Sequence, residues 1–236
     1  MKTETKKVLI TGSSGGIGKI TAETLLNAGY QVFKTGSREL KEKNYFSADL
    51  SSLENVKKLY NYVKENFGDI DILINNAGQY LYSPIEKTDI KETEKIFNIN
   101  FLSHYYLTSL IVPYMKNNGF GRIINISSIS GVVGEANASL YSSTKSAFFG
   151  FTKSLALELA QYNITVNSIS PGWVETNLAE NALNEEEKKE TIDIIPQKRF
   201  VEPVEIANLV KYLISNEAKG LTGQNINLCA GLSCGC

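Results

Sequence analysis

Short blocks of consecutive apolar residues alternate along the chain with longer stretches whose apolar positions recur every three to four residues. Val8-Leu9-Ile10 runs into a glycine-rich turn, and residues 17–28 then carry apolar side chains at helical spacing until Gly29 ends the run. The same reading predicts strands at 8–11, 31–35, 45–48, 70–75, 122–127, 165–170 and 224–228. It predicts helices at 17–28, 51–66 (opened by a serine cap), 88–115, 139–162 and 204–215. Strands that are apolar throughout, rather than at every second position, need cover on both faces. The pattern therefore predicts an α/β protein, a doubly wound parallel sheet of seven strands with helices on both faces, in a single domain spanning 1–236.

Two stretches break this rhythm. Residues 36–44 are too few for a covering helix and two loops, so a turn or one or two helical turns is expected there. Residues 184–190 are charged and lie between a Pro-Gly turn and Pro196; a solvated helix that forms part of a lid is expected.

Composition narrows the possibilities. The 236 residues carry 24 basic and 25 acidic side chains for a net charge of −1, so neither a nucleic acid nor an anionic membrane would meet a strongly basic face. No apolar run approaches the ~20 residues of a membrane span, and the apolar run at 8–10 is too short for a signal-peptide core. A cytoplasmic protein is expected. Cys229, Cys234 and Cys236 all fall in the last eight residues and read as free thiols on a tail. The sole histidine, His104, is too remote to complete a metal site with them, so no metal is expected.

The turn Thr11-Gly12-Ser13-Ser14-Gly15-Gly16-Ile17-Gly18 sits between a strand and a helix. Glycines there let the backbone turn sharply and approach a pyrophosphate, while the helix N–H groups and dipole face the anion. Tyr141 and Lys145 lie four apart on a predicted helix and so share a face. A phenol with its ordinary pKa near 10 exchanges protons poorly at neutral pH. A neighbouring ammonium should lower that value and make Tyr141 a general acid for a carbonyl oxygen or a base for an alcohol. Ser128 closes the fifth strand, where a hydroxyl can polarise a substrate oxygen; Ser127 and Ser130 are its neighbouring competitors.

These motifs together resemble the short-chain dehydrogenase/reductases, and the likeness runs essentially end to end. It rests on the Gly-x3-Gly-x-Gly turn, Asn75-Asn76-Ala77-Gly78, Tyr141-x3-Lys145, Ser128 thirteen residues before that tyrosine, and Asn100 in the long helix. The late stretches Pro171-Gly172-Trp173-Val174-Glu175-Thr176 and Gly220-Leu221-Thr222-Gly223-Gln224 complete it. The resemblance implies a Rossmann-type fold in which Tyr141 is the acid/base and Ser128 polarises the substrate oxygen. Lys145 would tune the tyrosine and bind the nicotinamide ribose, and Asn100 would hold a relay water through its backbone. For the cofactor it implies Gly12, Ser14, Gly15, Gly16, Ile17 and Gly18 at the pyrophosphate, and Asp49 with Leu50 at the adenine. Asn76, Ala77 and Gly78 would line the nicotinamide, with Pro171, Gly172, Val174 and Thr176 forming the loop at its carboxamide.

The second strand ends Lys34-Thr35-Gly36-Ser37-Arg38. Gly36 stands where an acid would grip a ribose 2′-hydroxyl, and Ser37 with Arg38 suits a 2′-phosphate, so NADP is expected; Glu39 keeps NAD open. The expected reaction is hydride transfer between the cofactor and a small carbonyl or alcohol substrate, most simply by a ketoreductase such as a 3-oxoacyl thioester reductase. An NAD-dependent secondary alcohol dehydrogenase, an epimerase or dehydratase on the same scaffold, and a non-catalytic dinucleotide-binding regulator are the alternatives. Gln79, Tyr80, Tyr82, Leu140 and Trp173 are candidates for the substrate side, and no arginine among them announces a carboxylate substrate. The resemblance also implies a homotetramer built through 88–115, 139–162 and the last strand, although the ending Cys229-Ala230-Gly231 departs from the family's usual Asp-Gly-Gly.

Overall fold

The computed structural model describes residues 5–176 and 184–234. Strand β1 (Lys7–Ile10) enters the glycine turn and α1 (Gly16–Asn27), followed by β2 (Gln31–Gly36) and β3 (Tyr45–Ser47). Helix α2 (Leu53–Asn66) leads to β4 (Ile72–Asn75), then α3 (Ile90–Phe97), a π turn (Asn98–Leu102) and α4 (Ser103–Asn118). Strand β5 (Gly121–Ile126), the short α5 (Ser130–Val133), α6 (Ser139–Leu159), β6 (Ile164–Pro171), α7 (Glu185–Ile194), α8 (Pro203–Leu213) and β7 (Asn225–Leu228) complete the order. All seven strands are parallel, in the order β3-β2-β1-β4-β5-β6-β7. The chain therefore starts in the middle of the sheet, winds to one edge, and returns to wind to the other. The loops after β1 and β4 diverge at that reversal and leave a crevice at the carboxyl ends of the strands.

Strand alternation builds two cores. Leu9, Phe33, Leu73, Ile123 and Val166 face α2, α4 and α6, where they meet Val56, Leu59, Leu107, Ile111 and Leu159. Val8, Ile10, Val32, Ile72, Ile74 and Ile124 face α1 and α8, against Ala22, Leu25, Ile206, Val210 and Leu213. Neighbouring strand residues point to opposite faces, and here both faces are covered, which is why the strands read as unbroken apolar runs.

The departures from the sequence expectation are local. The expected helix at 88–115 starts at Ile90, where Asp89 accepts from the Glu92 amide, and it contains the π turn around Asn100. The cap of α2 is Ser52, which accepts from the Asn55 amide, rather than Ser51. The stretch between β2 and β3 forms no helix, in keeping with its length. Cys229 is no tail thiol: it is buried, and its backbone packs so closely on Gly172 that a side chain at Gly172 would lie 2.8 Å from the Cys229 Cα. Cys234 is free and exposed, and Cys236 lies outside the described residues. Among the described residues no helix is long and apolar enough to cross a membrane.

Candidate active site

The glycine turn is locked to the loop after β4. Asn76 donates through Nδ2 to the carbonyls of Thr11 (2.8 Å) and Gly12 (3.1 Å), and Thr11 Oγ1 accepts from the amides of Asn76 and Ala77. Gly12 has φ +67°, and a Cβ there would come within 2.6 Å of the Ala77 Cα; one at Gly18 would meet the Gly12 carbonyl oxygen at 2.3 Å. No larger residue fits either place. Gly15 is the N-cap of α1 and makes no side-chain cap bond, and Gly16 begins the helix, so its first amides point out of the turn. Thr176 stands over this turn, its Cγ2 3.6 Å from where a Gly16 Cβ would be, and Ile17 and Thr176 both face the adjoining cavity. A bare backbone cradle at a helix N-terminus fits a dinucleotide pyrophosphate.

At the end of β2, Gly36 lies against Ser14, whose Oγ is 2.7 Å from a Gly36 Cβ position. Ser37 and Arg38 follow, both exposed, and their carbonyls accept from Ser47 Oγ (3.4 Å) and Tyr45 Oη (2.5 Å). Asp49 is exposed and accepts from the Ser51 amide, while the Leu50 side chain is taken up by the core and leaves only its backbone to face a ligand.

Strand β5 and helix α6 bring the reactive side chains together. Tyr141 and Ser128 line the same cavity, and the Ser128 hydroxyl acts on the Tyr141 phenol to lower its pKa. Lys145 is buried, donates from Nζ to the Ile126 carbonyl (3.0 Å), and sits 5.8 Å from the Tyr141 ring centroid. Ser127 points the other way and donates to the Lys145 carbonyl (2.8 Å), so of the adjacent serines it is Ser128 that meets the tyrosine. Burial pulls the Lys145 ammonium down to about 8. Burial pushes the Tyr141 phenol up to about 12, the Ser128 hydroxyl opposing and the Glu135 charge adding to the rise. The expected acidification of Tyr141 by Lys145 is not seen: desolvation raises the phenol, and Ser128 rather than Lys145 is what opposes the rise.

Asn100 is fully buried. Its Oδ1 accepts from the Gln79 amide (2.8 Å), and its Nδ2 donates to the Gln79 carbonyl (3.0 Å) and to Thr144 Oγ1 (3.1 Å). The side chain thereby ties the loop after β4 to α6, while the π turn frees backbone around it. Gly78 packs over both partners, a Cβ there falling 3.2 Å from Lys145 Nζ and 3.5 Å from Asn100 Oδ1.

A cavity of about 480 Å³ opens in front of Tyr141 and Ser128. Pro171, Gly172, Trp173 and Val174 form one wall, Tyr80 and Glu135 another, and Thr191 and Ile194 of α7 reach it from the side. Of the substrate-side candidates, Tyr80 and Trp173 line it; Gln79, Tyr82 and Leu140 do not. Sequence reasoning missed Glu135. Its oxygens accept from Tyr80 Oη (2.5 Å) and Ser130 Oγ (2.7 Å), and Ser128 Oγ donates to Ser130 Oγ (3.2 Å). A carboxylate seven residues after a strand serine has no spacing signature; only the fold returns it to the tyrosine.

The comparisons agree with this geometry. The family described as short chain dehydrogenase matches residues 6–187. A 3-oxoacyl-[acyl-carrier-protein] reductase FabG of Buchnera aphidicola subsp. Schizaphis graminum is 38% identical over 242 residues, covering 98% of this chain and 99% of that protein. A 7alpha-hydroxysteroid dehydrogenase of Bacteroides fragilis is 32% identical over 248 residues, covering 98% and 95%. The ligand-free aldohexose dehydrogenase of Thermoplasma acidophilum superposes with a TM-score of 0.91 at 30% identity, covering 98% of this chain and 94% of that one. The chain belongs to the short-chain dehydrogenase family and is an oxidoreductase.

Proposed function

We propose that the chain is an NADP(H)-dependent ketoreductase acting on a small carbonyl substrate, in the manner of a 3-oxoacyl thioester reductase, within one cofactor-binding and catalytic domain. The observation that carries this reading is that Tyr141 and Ser128 face one cavity, with Lys145 one helical turn from the tyrosine and 5.8 Å from its ring. When bound, the nicotinamide supplies hydride to the carbonyl carbon. Tyr141 gives its proton to the carbonyl oxygen, and Ser128 turns its hydroxyl from Ser130 toward that oxygen to stabilise the developing charge. With its phenol near 12, Tyr141 carries its proton throughout the neutral range, and Lys145, near 8 and mostly charged at neutral pH, stabilises the phenolate as that proton leaves. Asn100 holds Gln79 and Gly78 against Lys145. Gly36, Ser37 and Arg38 favour a 2′-phosphate, since no carboxylate ends β2 and the guanidinium pairs well with phosphate.

The reading extends to a cytoplasmic homotetramer. Its support is the apolar surface on the π turn, α4 and α6, where Leu102, Tyr105 and Leu157 are 39%, 53% and 84% exposed.

The test is NADPH oxidation, read from its absorbance, against a panel of 3-oxoacyl thioesters, diketones and aldehydes. Turnover with NADPH favoured over NADH is expected. Tyr141→Phe should lower turnover at least ~10³-fold with NADPH affinity kept; parental turnover in that variant overturns the mechanism.

A further inference from the structure

Glu135 is a carboxylate held inside the cavity with no counter-charge. Both its oxygens accept from hydroxyl groups, Tyr80 on one side and Ser130 on the other, and no ion pair reaches it among the described residues. Neither lysine nor arginine is among the described residues that line the cavity. The loop that carries it is fixed to the loop that carries Tyr80: the Ser83 amide donates to the Asn137 carbonyl (2.6 Å), and Asn137 Nδ2 donates to Tyr82 Oη (2.9 Å). Through Ser130 the carboxylate is two hydrogen bonds, less than 6 Å, from Ser128 Oγ, the group that meets the substrate oxygen in the reading above.

A negative charge so placed acts on whatever sits beside the reacting carbon. In a half-buried site a second carboxylate at that range is repelled strongly, whereas a hydroxyl, ester or thioester is not. We propose that Glu135 is a specificity-determining residue that excludes substrates with an anionic group next to the reacting carbonyl and admits neutral ones, hydrogen-bond donors above all. This deepens the ketoreductase reading and rests on it. A purely structural clasp between the two loops would need the hydrogen bonds of Glu135 but not its charge, and the two roles separate on that point.

The experiment uses methyl acetoacetate and acetoacetate, which share the ketone and differ in charge. Two readouts are compared for each: kcat/KM with NADPH, and the dissociation constant from quenching of Trp173, the sole tryptophan and part of the cavity wall, in the NADP⁺-loaded protein. The expected preference for the neutral ester is about 10- to 100-fold in both. Glu135→Gln keeps an oxygen for Tyr80 and a polar partner for Ser130 but removes the charge, and should lower the preference about tenfold or more in both readouts. Glu135→Asp keeps the charge and should keep the discrimination. Because each value is a ratio within one variant, a loss of active fraction cancels. An unchanged ratio in Glu135→Gln, or equal use of the two probes by the parent protein, overturns the proposal while leaving the reductase reading intact. Binding of both probes without turnover on the whole substrate panel overturns the reductase reading, and the binding ratio still decides the role of Glu135.

Discussion

The two halves of the crevice are built differently. On the β1–β4 side, side chains are absent where backbone meets backbone: Gly12 against Ala77 and Gly18 against the Gly12 carbonyl, with Asn76 and Thr11 stitching the two loops. On the β5–β7 side, the cavity is bounded by large side chains and by a run of hydroxyls from Tyr141 through Ser128 and Ser130 to Glu135. The first half tolerates almost no change of volume, because its contacts are backbone and cannot yield. The second holds such a contact where Gly172 meets the Cys229 backbone, but its larger side chains can change without moving the fold. In the proposed reading the cofactor is thereby received by a fixed surface, and the substrate by an adjustable one.

Gly12→Ala should expose this contrast most strongly. The new methyl meets the Ala77 backbone at 2.6 Å from a φ of +67°, and a loss of ~3 kcal/mol or more in urea unfolding is expected, with dinucleotide binding abolished. A tolerated alanine would show that the turn yields.

Acid should reach the same half next. His104 is fully buried, its Nε2 donates to the Ala77 carbonyl (2.8 Å), and burial lowers it to about 4 from its ordinary 6.5. The unfolded chain takes up a proton below about 6.5 that the folded chain refuses until about 4, so stability falls as pH drops through that window. A loss of about 3 kcal/mol across it is expected, and His104→Gln should remove that component of the pH dependence of urea unfolding.

In the proposed reading Arg38→Ala touches the cofactor rather than the fold. NADP⁺ should bind about tenfold to a hundredfold less tightly, with NAD⁺ unaffected, by titration calorimetry. Asn184→Ala on the substrate half should cost least. It removes the bonds to the amides of Glu186 (3.0 Å) and Glu187 (2.9 Å) that start α7, and ~1 kcal/mol or less is expected, seen as faster amide exchange in α7. A larger global loss would show that α7 belongs to the rigid half.

The glycine turn, the strand alternation and the Tyr141/Lys145 spacing were legible in the sequence because each is set by local sterics and period. The expected helix over 184–190 is present as the start of α7, with a capping box at Asn184. What escaped the sequence depends on distant neighbours. The phenol rises rather than falls because burial is a property of the folded surroundings. Cys229 is covered because Gly172, far back in the chain, leaves it room. The Glu135 pairing with Tyr80 joins residues 55 positions apart, beyond any local pattern.

The π turn at Asn98–Leu102 gives the chain a tally to keep as well as an alphabet. One surplus residue is threaded into an otherwise regular helix, and removing any single residue there would heal the ladder. The mended rod would turn α3 by about 100° relative to α4, since an α-helix advances 3.6 residues per turn. Asn100 would swing off Gln79 although no side chain had been exchanged, so deletions in this short span should disable the enzyme where many substitutions are borne.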